Sequence, residues 1–404
     1  MAKVCILGHP APGHVNPTLP VTAELVRRGE RVTYFVTEPF REKVEATGAG
    51  FRCYGPHELF ERNLARGGML GGMAGLMETA ESILPELIAQ LKAERPDYLL
   101  TEAHALWGNL AAQILGHPTA TLCSMFAISE ALIRPDELVG HLYGNAPVVA
   151  VREGLAGLSR YLEIASRVDR HYGTASPGLV NYLGNRQRLN IVFTSRAFQV
   201  GGKVFGDDYR FVGPSVPEMP VSSSFPVEQL DGSPLIFISM GTMYNDEADL
   251  YQQCFAAFRD SRYQVVMAIG HRVDRSRLPE PPANFIVREY VPQLSILARA
   301  CLFITHGGIN SAHEAMLFGV PMIVLPSSAD HHIVAQRVEA VGAGMVLPRA
   351  AATAGRLQSL ATGILGEPEY RRSSERMGRS LREAGGYRRA VDEIFTFKKD
   401  AGIQ

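Results

Sequence analysis

Short apolar runs alternate along this chain with longer stretches of helical period. Residues 3–7 (KVCIL) read as a strand buried on both faces, since every position after the first is apolar. A loop rich in Gly, Pro and His follows at 8–17, and residues 19–28 read as a helix closed by Gly29. Residues 31–36 (RVTYFV) carry the β-branched and aromatic side chains of a second strand. Further strands are predicted at 98–101 and 119–123, with a helix over 107–115 between them. Strands alternating with helices point to a parallel, doubly wound α/β sheet.

The pattern breaks between 213 and 233. GPSVPEMPVSSSFPVEQLDGS is dense in Pro and Ser and lacks an apolar period, so it reads as a linker. The α/β pattern restarts with PLIFIS at 234–239 and continues with strands predicted at 263–269, 285–288, 301–305 and 322–325. The chain therefore divides into a domain over 1–215, a linker over 216–233 and a second domain over 234–404. The last helix is free to pack back on the first domain. Two doubly wound, Rossmann-like sheets are expected to face a central cleft. Two stretches fit this scheme poorly. Residues 56–80 contain GGMLGGMAGLM, with little helical commitment, and residues 130–185 show mixed helical patterns without a clear strand. Gly mobility and adaptable Met side chains suit contact with an apolar small molecule, although a surface loop and ordinary helices account for the same residues.

Composition adds limits. A chain of 404 residues fits two domains of roughly 200 each. Forty Lys and Arg against forty-one Asp and Glu give a net charge of -1, which excludes neither enzyme nor binding protein but offers nothing to nucleic acid or an anionic membrane. No segment approaches about 18 uninterrupted apolar residues, so no membrane span is expected. The N-terminus lacks a basic region followed by a signal-length apolar stretch. Five cysteines, never in a CxxC pair, read as free thiols of a reducing compartment, and the cytoplasm is the expected location.

Candidate chemistry lies where open α/β sheets place it, at the carboxyl ends of strands. The loop Gly8-His9-Pro10-Ala11-Pro12-Gly13-His14 presents a histidine, the natural general base for a hydroxyl near neutral pH. His9 reads as structural. A catalytic imidazole needs a carboxylate to fix its tautomer, and Glu102 follows the strand at 98–101. The two converge if their strands are neighbours; otherwise Glu102 is a solvated loop residue. In the second half, a buried strand ends at Thr305 and is followed by His306-Gly307-Gly308 and a helix beginning near Ser311. Backbone amides at a helix N-terminus beside a Gly turn form an anion site, to which His306, Asn310 and Ser311 add donors. Ser311-Ala312-His313-Glu314 also fits a capping box, which accounts for Ser311 and Glu314 without a ligand but not for His306-Gly307-Gly308. Asp330-His331-His332 lacks the spacing of a metal site, and no metal is expected.

Together these segments resemble the family 1 glycosyltransferases of the GT-B fold, particularly the bacterial macrolide glycosyltransferase group. The resemblance rests on PAPGHVNPTLPVTAELVRRGERVTY near the N-terminus and on REYVPQLSILARACLFITHGGINSAHEAMLFGVPMIVLPSSADHHIVAQRVEAVGAG in the second half. It implies that His14 is the general base and that Glu102 holds the position of an orienting carboxylate, usually Asp. It implies that His306, Gly308, Asn310 and Ser311 bind a diphosphate and that Glu314 binds the ribose. In Tyr290-Val291-Pro292-Gln293, Tyr290 takes the place of an aromatic ring, more often Trp, that stacks on the base, with Val291 and Gln293 beside it. Ser239, Gly241 and Thr242 lie in a loop similar to one that touches phosphate. Asp330 matches an acidic residue that holds the sugar hydroxyls, and His331 stands where Gln is common, leaving a different hexose or a deoxysugar open. The implied reaction is inverting, from a UDP- or dTDP-sugar to a hydroxyl of a small, largely apolar natural product. Neither a metal nor a permanently bound cofactor is implied. A nucleotide-sugar epimerase and a non-catalytic nucleotide-sugar-binding protein are the alternatives. The absence of GxGxxG argues against an oxidoreductase.

Overall fold

The computed structural model describes residues 1–64, 68–129, 148–178, 185–217, 229–241 and 246–403. They form two compact units, one comprising Met1–Ser215 with Ala384–Gln404 and the other Val216–Glu383. Most of the expected linker lies outside the described residues.

The first unit is built on a parallel sheet of β1 (Lys3–Leu7), β2 (Arg31–Phe35), β3 (Gly50–Arg52), β4 (Tyr98–Glu102), β5 (Thr119–Cys123), β6 (Leu189–Val192) and β7 (Tyr209–Phe211). The strand order is β3-β2-β1-β4-β5-β6-β7, so the winding reverses between β1 and β4. Alternate β1 residues enter two different cores, Val4 and Ile6 on one face and Cys5 and Leu7 on the other, which is why the run is apolar throughout. Helices α1 (Pro12–Arg27), α2 (Arg41–Glu45), α3 (His57–Leu64), α4 (Gly68–Glu94), α5 (Leu106–Leu115) and α6 (Val148–Tyr172) connect or cover these strands.

The Gly/Met-rich stretch departs from its expected irregularity. From Gly68 it belongs to α4, a helix of 27 residues that packs on α3 and α6. Glycine here serves close helix approach: a Cβ at Gly75 would meet the Asn63 carbonyl oxygen at 2.1 Å, and one at Gly157 of α6 would meet that of Leu70 at 2.8 Å. Met73 and Met77 are core residues rather than a free apolar surface. Residues 130–147 and 179–184, part of the second ill-fitting stretch, lie outside the described residues.

The C-terminal helix (Gly386–Asp400) belongs to the first unit and packs on α1, adding Ala390, Val391, Ile394 and Phe397 to one of its cores. It also brings in a charge. Lys398 Nζ lies 2.6 Å from Glu30 Oε1, with side chains only 6% and 3% exposed. Tyr98 donates its hydroxyl to the other Glu30 oxygen at 3.1 Å.

The second unit repeats the plan with β8 (Leu235–Ser239), β9 (Gln264–Ala268), β10 (Phe285–Arg288), β11 (Ala300–Thr305), β12 (Met322–Val324) and β13 (Gly344–Val346). Its order is β10-β9-β8-β11-β12-β13, again wholly parallel, with the reversal between β8 and β11. The flanking helices are α7 (Ala248–Phe258), α8 (Gln293–Leu297), α9 (Ile309–Leu317), α10 (Ala329–Ala340), α11 (Ala354–Gly366) and α12 (Pro368–Glu383). Among the described residues no helix is long and apolar enough to cross a membrane.

The Lys398–Glu30 pair gives a stability test. Lys398→Met leaves an unpaired buried carboxylate and is expected to cost about 3–5 kcal/mol, against about 0–1 kcal/mol for an exposed pair. Denaturant unfolding measures this loss, and adding Glu30→Gln should recover much of it.

Candidate functional site

Two clusters of predicted residues form, each at the reversal of its own sheet. In the first unit, β1 leads into α1. The helix starts at Pro12, seven residues before its expected start, so His14 sits in a first helical turn rather than in a loop. Proline is tolerated there because the N–H it lacks has no partner within the helix. Glu102 is the last residue of β4, and β4 is the direct neighbour of β1. That adjacency brings His14 Nδ1 to 2.8 Å from Glu102 Oε1. Glu102 is fully buried, while the His14 side chain is 16% exposed.

Further groups hold the carboxylate. Ser124, one residue past β5, donates its hydroxyl to Glu102 Oε1 at 2.6 Å, with its Oγ 2.8 Å from His14 Nδ1. The backbone N–H of His104 donates to Glu102 Oε2 at 2.7 Å. Burial alone would raise the Glu102 carboxyl. The charge of His14 and the contacts of His104 and His14 outweigh it and hold the group well below the usual carboxylate range. Glu102 thus accepts while ionised, which places a His14 proton on Nδ1 and makes Nε2 the unprotonated nitrogen of the neutral ring. His9 is buried against Trp107, with ring centroids 6.0 Å apart. Burial first, and then His14, lowers its pKa far below the usual imidazole value. Ser124 was not singled out in the sequence, although the carboxyl end of β5 obeys the rule that marked Glu102.

In the second unit, β8 ends at Ser239 and β11 at Thr305. The His306 ring occupies the space beside two glycines. A Cβ on Gly241 would come within 2.7 Å of that ring, and one on Gly308 within 2.6 Å. Gly241 and Gly307 also adopt φ of +82° and +89°. Desolvation, followed by the neighbouring His331, lowers His306 to about 3, so the ring is neutral. The capping-box expectation does not hold. α9 starts at Ile309, with Gly308 at its N-cap and no side-chain cap, so Ser311 and Glu314 lie inside the helix. Both instead receive Gln293 Nε2, at 3.2 Å for Ser311 Oγ and 2.7 Å for Glu314 Oε2. Asn310 shares this first turn.

Gln293 opens α8, Val291 is buried just before it, and Tyr290 is 79% exposed. Asp330 lies in the first turn of α10 and accepts from Ser328. His331 Nδ1 lies 3.0 Å from Ser327 Oγ, and its ring meets that of His306 edge-on at 4.6 Å. Thr242 lies outside the described residues.

Residues 255–383 match the family described as erythromycin biosynthesis protein CIII-like, C-terminal domain. The chain is 34% identical to the NDP-glycosyltransferase YjiC of Bacillus subtilis strain 168, over 99% of this chain and 98% of that one. It is 29% identical to the demethyllactenocin mycarosyltransferase of Streptomyces fradiae, over 98% of this chain and 86% of the relative. The crystal structure of the kitacinnamycin glycosyltransferase superposes with a TM-score of 0.84 at 25% identity, covering 98% of each chain. Two Rossmann-like parallel sheets and full-length likeness to these enzymes define a glycosyltransferase of the GT-B fold. Within that class, the chain belongs to the family 1 glycosyltransferases and resembles their macrolide group.

Desolvation, opposed by Gln293, raises the Glu314 carboxyl from 4.5 to about 7. The folded chain therefore binds more protons than the unfolded chain between these values, and this residue's contribution to stability falls as pH rises through that window. Glu314→Gln removes the titration. Wild type and variant should melt together near about pH 4, and the variant should melt about 6–12 °C higher near about pH 8, because the shift is worth about 3 kcal/mol. A melting difference that stays constant with pH would contradict the assignment.

Proposed function

We propose that this glycosyltransferase moves a hexose or deoxyhexose from a UDP- or dTDP-sugar to a hydroxyl of a small, largely apolar natural product. The observation that carries this reading is the His14–Glu102–Ser124 cluster at the carboxyl ends of adjacent parts of one sheet. His14 Nε2 takes the proton of the acceptor hydroxyl as its oxygen attacks the anomeric carbon. Glu102, ionised and buried, stabilises the imidazolium as it forms, and Ser124 keeps the carboxylate in place. The attack comes from the face opposite the leaving diphosphate, so an α-linked donor gives a β-glycoside.

On the donor side, His306, Gly308, Asn310 and Ser311 with the first turn of α9 take the diphosphate. A helix N-terminus without a side-chain cap and a neutral ring able to donate a hydrogen bond stabilise the charge that develops there. These groups do electrostatically what a metal does in other transferases. Ser239, Gly241 and Thr242 complete the phosphate contacts, Glu314 takes the ribose, Tyr290 stacks on the base, and Val291 and Gln293 belong to the same donor-binding segment. Asp330 and His331 hold the sugar hydroxyls. The macrolide relatives support an apolar natural product as acceptor.

Purified His14→Ala should transfer sugar about 100- to 10,000-fold more slowly while binding nucleoside diphosphate with wild-type affinity. Transfer at the wild-type rate would remove His14 as the base. Activity should survive exhaustive chelation, whereas a complete loss restored by added magnesium or manganese would refute donor activation without a metal. A donor and acceptor screen read by mass spectrometry identifies the transferred sugar from the added mass.

A further inference from the structure

The carboxyl end of β4 gathers more nitrogen than the proposed reaction uses. His14 and His104 stand on either side of Glu102, their rings 4.8 Å apart and inclined at 64°. His104 Nδ1 approaches Glu102 Oε2 only to 3.9 Å and is buried without a hydrogen-bond partner. One ligand atom from each of His14, Glu102 and His104 can be chosen so that all lie within 4.8 Å of one another. Both imidazoles keep a route to solvent, with side chains 16% and 17% exposed. Two nitrogens and a carboxylate form the donor set that zinc-class ions favour, whereas magnesium and calcium take mostly oxygen.

We propose that His14, Glu102 and His104 form an inhibitory binding site for a divalent transition-metal ion of the zinc class. The ion binds His14 through Nδ1, a Glu102 oxygen and His104 Nδ1, and keeps its fourth position for water. Zinc–ligand bonds of about 2.0 Å in a tetrahedron put the ligand atoms about 3.3 Å apart, so the cluster must contract. His104 supplies that movement, because it lies in the turn between β4 and α5 and its ring is tied by no hydrogen bond through Nδ1. Ser124 stays on the carboxylate and orients it, as outer groups do around metal ligands.

The inhibition follows from proton placement and rests on the reading of His14 as the base. Without the ion, Nδ1 holds the proton that points to Glu102, and Nε2 has the lone pair. The Nδ1 proton leaves as the ion binds and the neutral ring carries one on Nε2 instead, so the lone pair that would take the acceptor's proton is gone. The buried Glu102 anion, meanwhile, exchanges a hydrogen bond for a cation.

Metal binding can be tested apart from transfer. The chelator-stripped full-length chain is titrated with cobalt(II) and followed by visible absorption, and zinc affinity is measured by competition with a chromophoric chelator. We expect about one equivalent to bind with a tetrahedral cobalt spectrum that zinc abolishes. His104→Ala and His104→Gln should each weaken zinc binding by about a hundredfold, with circular dichroism confirming that both remain folded. Zinc should slow transfer even at saturating acceptor, and each variant, measured against its own zinc-free rate, should need about a hundredfold more zinc for half inhibition. Magnesium should do neither. A missing cobalt spectrum, or wild-type zinc affinity in both folded variants, overturns the site. Zinc bound here while transfer continues overturns the inhibitory assignment. Failure of His14 as the base would appear separately, as zinc-free activity in His14→Ala.

Discussion

An ionised carboxylate buried at the end of a central strand sets the terms for everything around it in the first unit. An uncompensated charge in that position would cost several kcal/mol. Glu102 is compensated from three directions, by the His14 imidazole in the first turn of α1, by the Ser124 hydroxyl after β5 and by the His104 backbone amide in the following turn. Each partner comes from a different connection of the same sheet. The carboxylate is therefore satisfied only when β1, β4 and β5 lie side by side, in the register the parallel ladder imposes. Fold and chemistry are joined at this residue, because the contacts that keep Glu102 charged also set the tautomer of His14.

The second unit solves a different problem, that of placing a neutral ring beside a helix end. Desolvation, and then the neighbouring His331, keep His306 uncharged despite the opposing charge of Asp330. Space is the governing constraint. Gly241 and Gly308 lack the Cβ atoms that would collide with the ring, and Gly307 turns the backbone through a conformation that L side chains rarely adopt. The two clusters thus treat their imidazoles differently, one hydrogen-bonded to a buried carboxylate and the other held neutral by desolvation.

Much of this was legible in the residues. The apolar runs at 3–7, 98–101, 119–123 and 301–305 mark buried parallel strands because covering both faces removes the usual alternation. The rule that ligands gather at strand carboxyl ends then singled out His14, Glu102 and His306. Strand order was not legible. Nothing along the chain says that β4 rather than β2 supplies the partner of His14, since adjacency belongs to the assembled sheet. β3, β7 and β13, of three residues each, carry too little pattern to be distinguished from loop. Local propensity was misleading in two places. Prolines at 12 and 17 suggested a loop where a helix forms, and the glycines of α4 suggested little helical commitment where they allow backbones to touch. Ser311 and Glu314 fit a cap in sequence, yet the helix begins earlier and both turn to Gln293 across the packing.

The return of the C-terminal helix to the first unit has a consequence for how the chain matures. Residues 216–383 form a self-contained body within the sequence of its neighbour, so a ribosome delivers all of that body before it delivers the helix carrying Lys398. During synthesis the first unit must wait with Glu30 unpaired and one core lacking Ala390, Val391, Ile394 and Phe397. Vectorial production therefore reverses the order in which the two units begin: the first to emerge is the second to be completed.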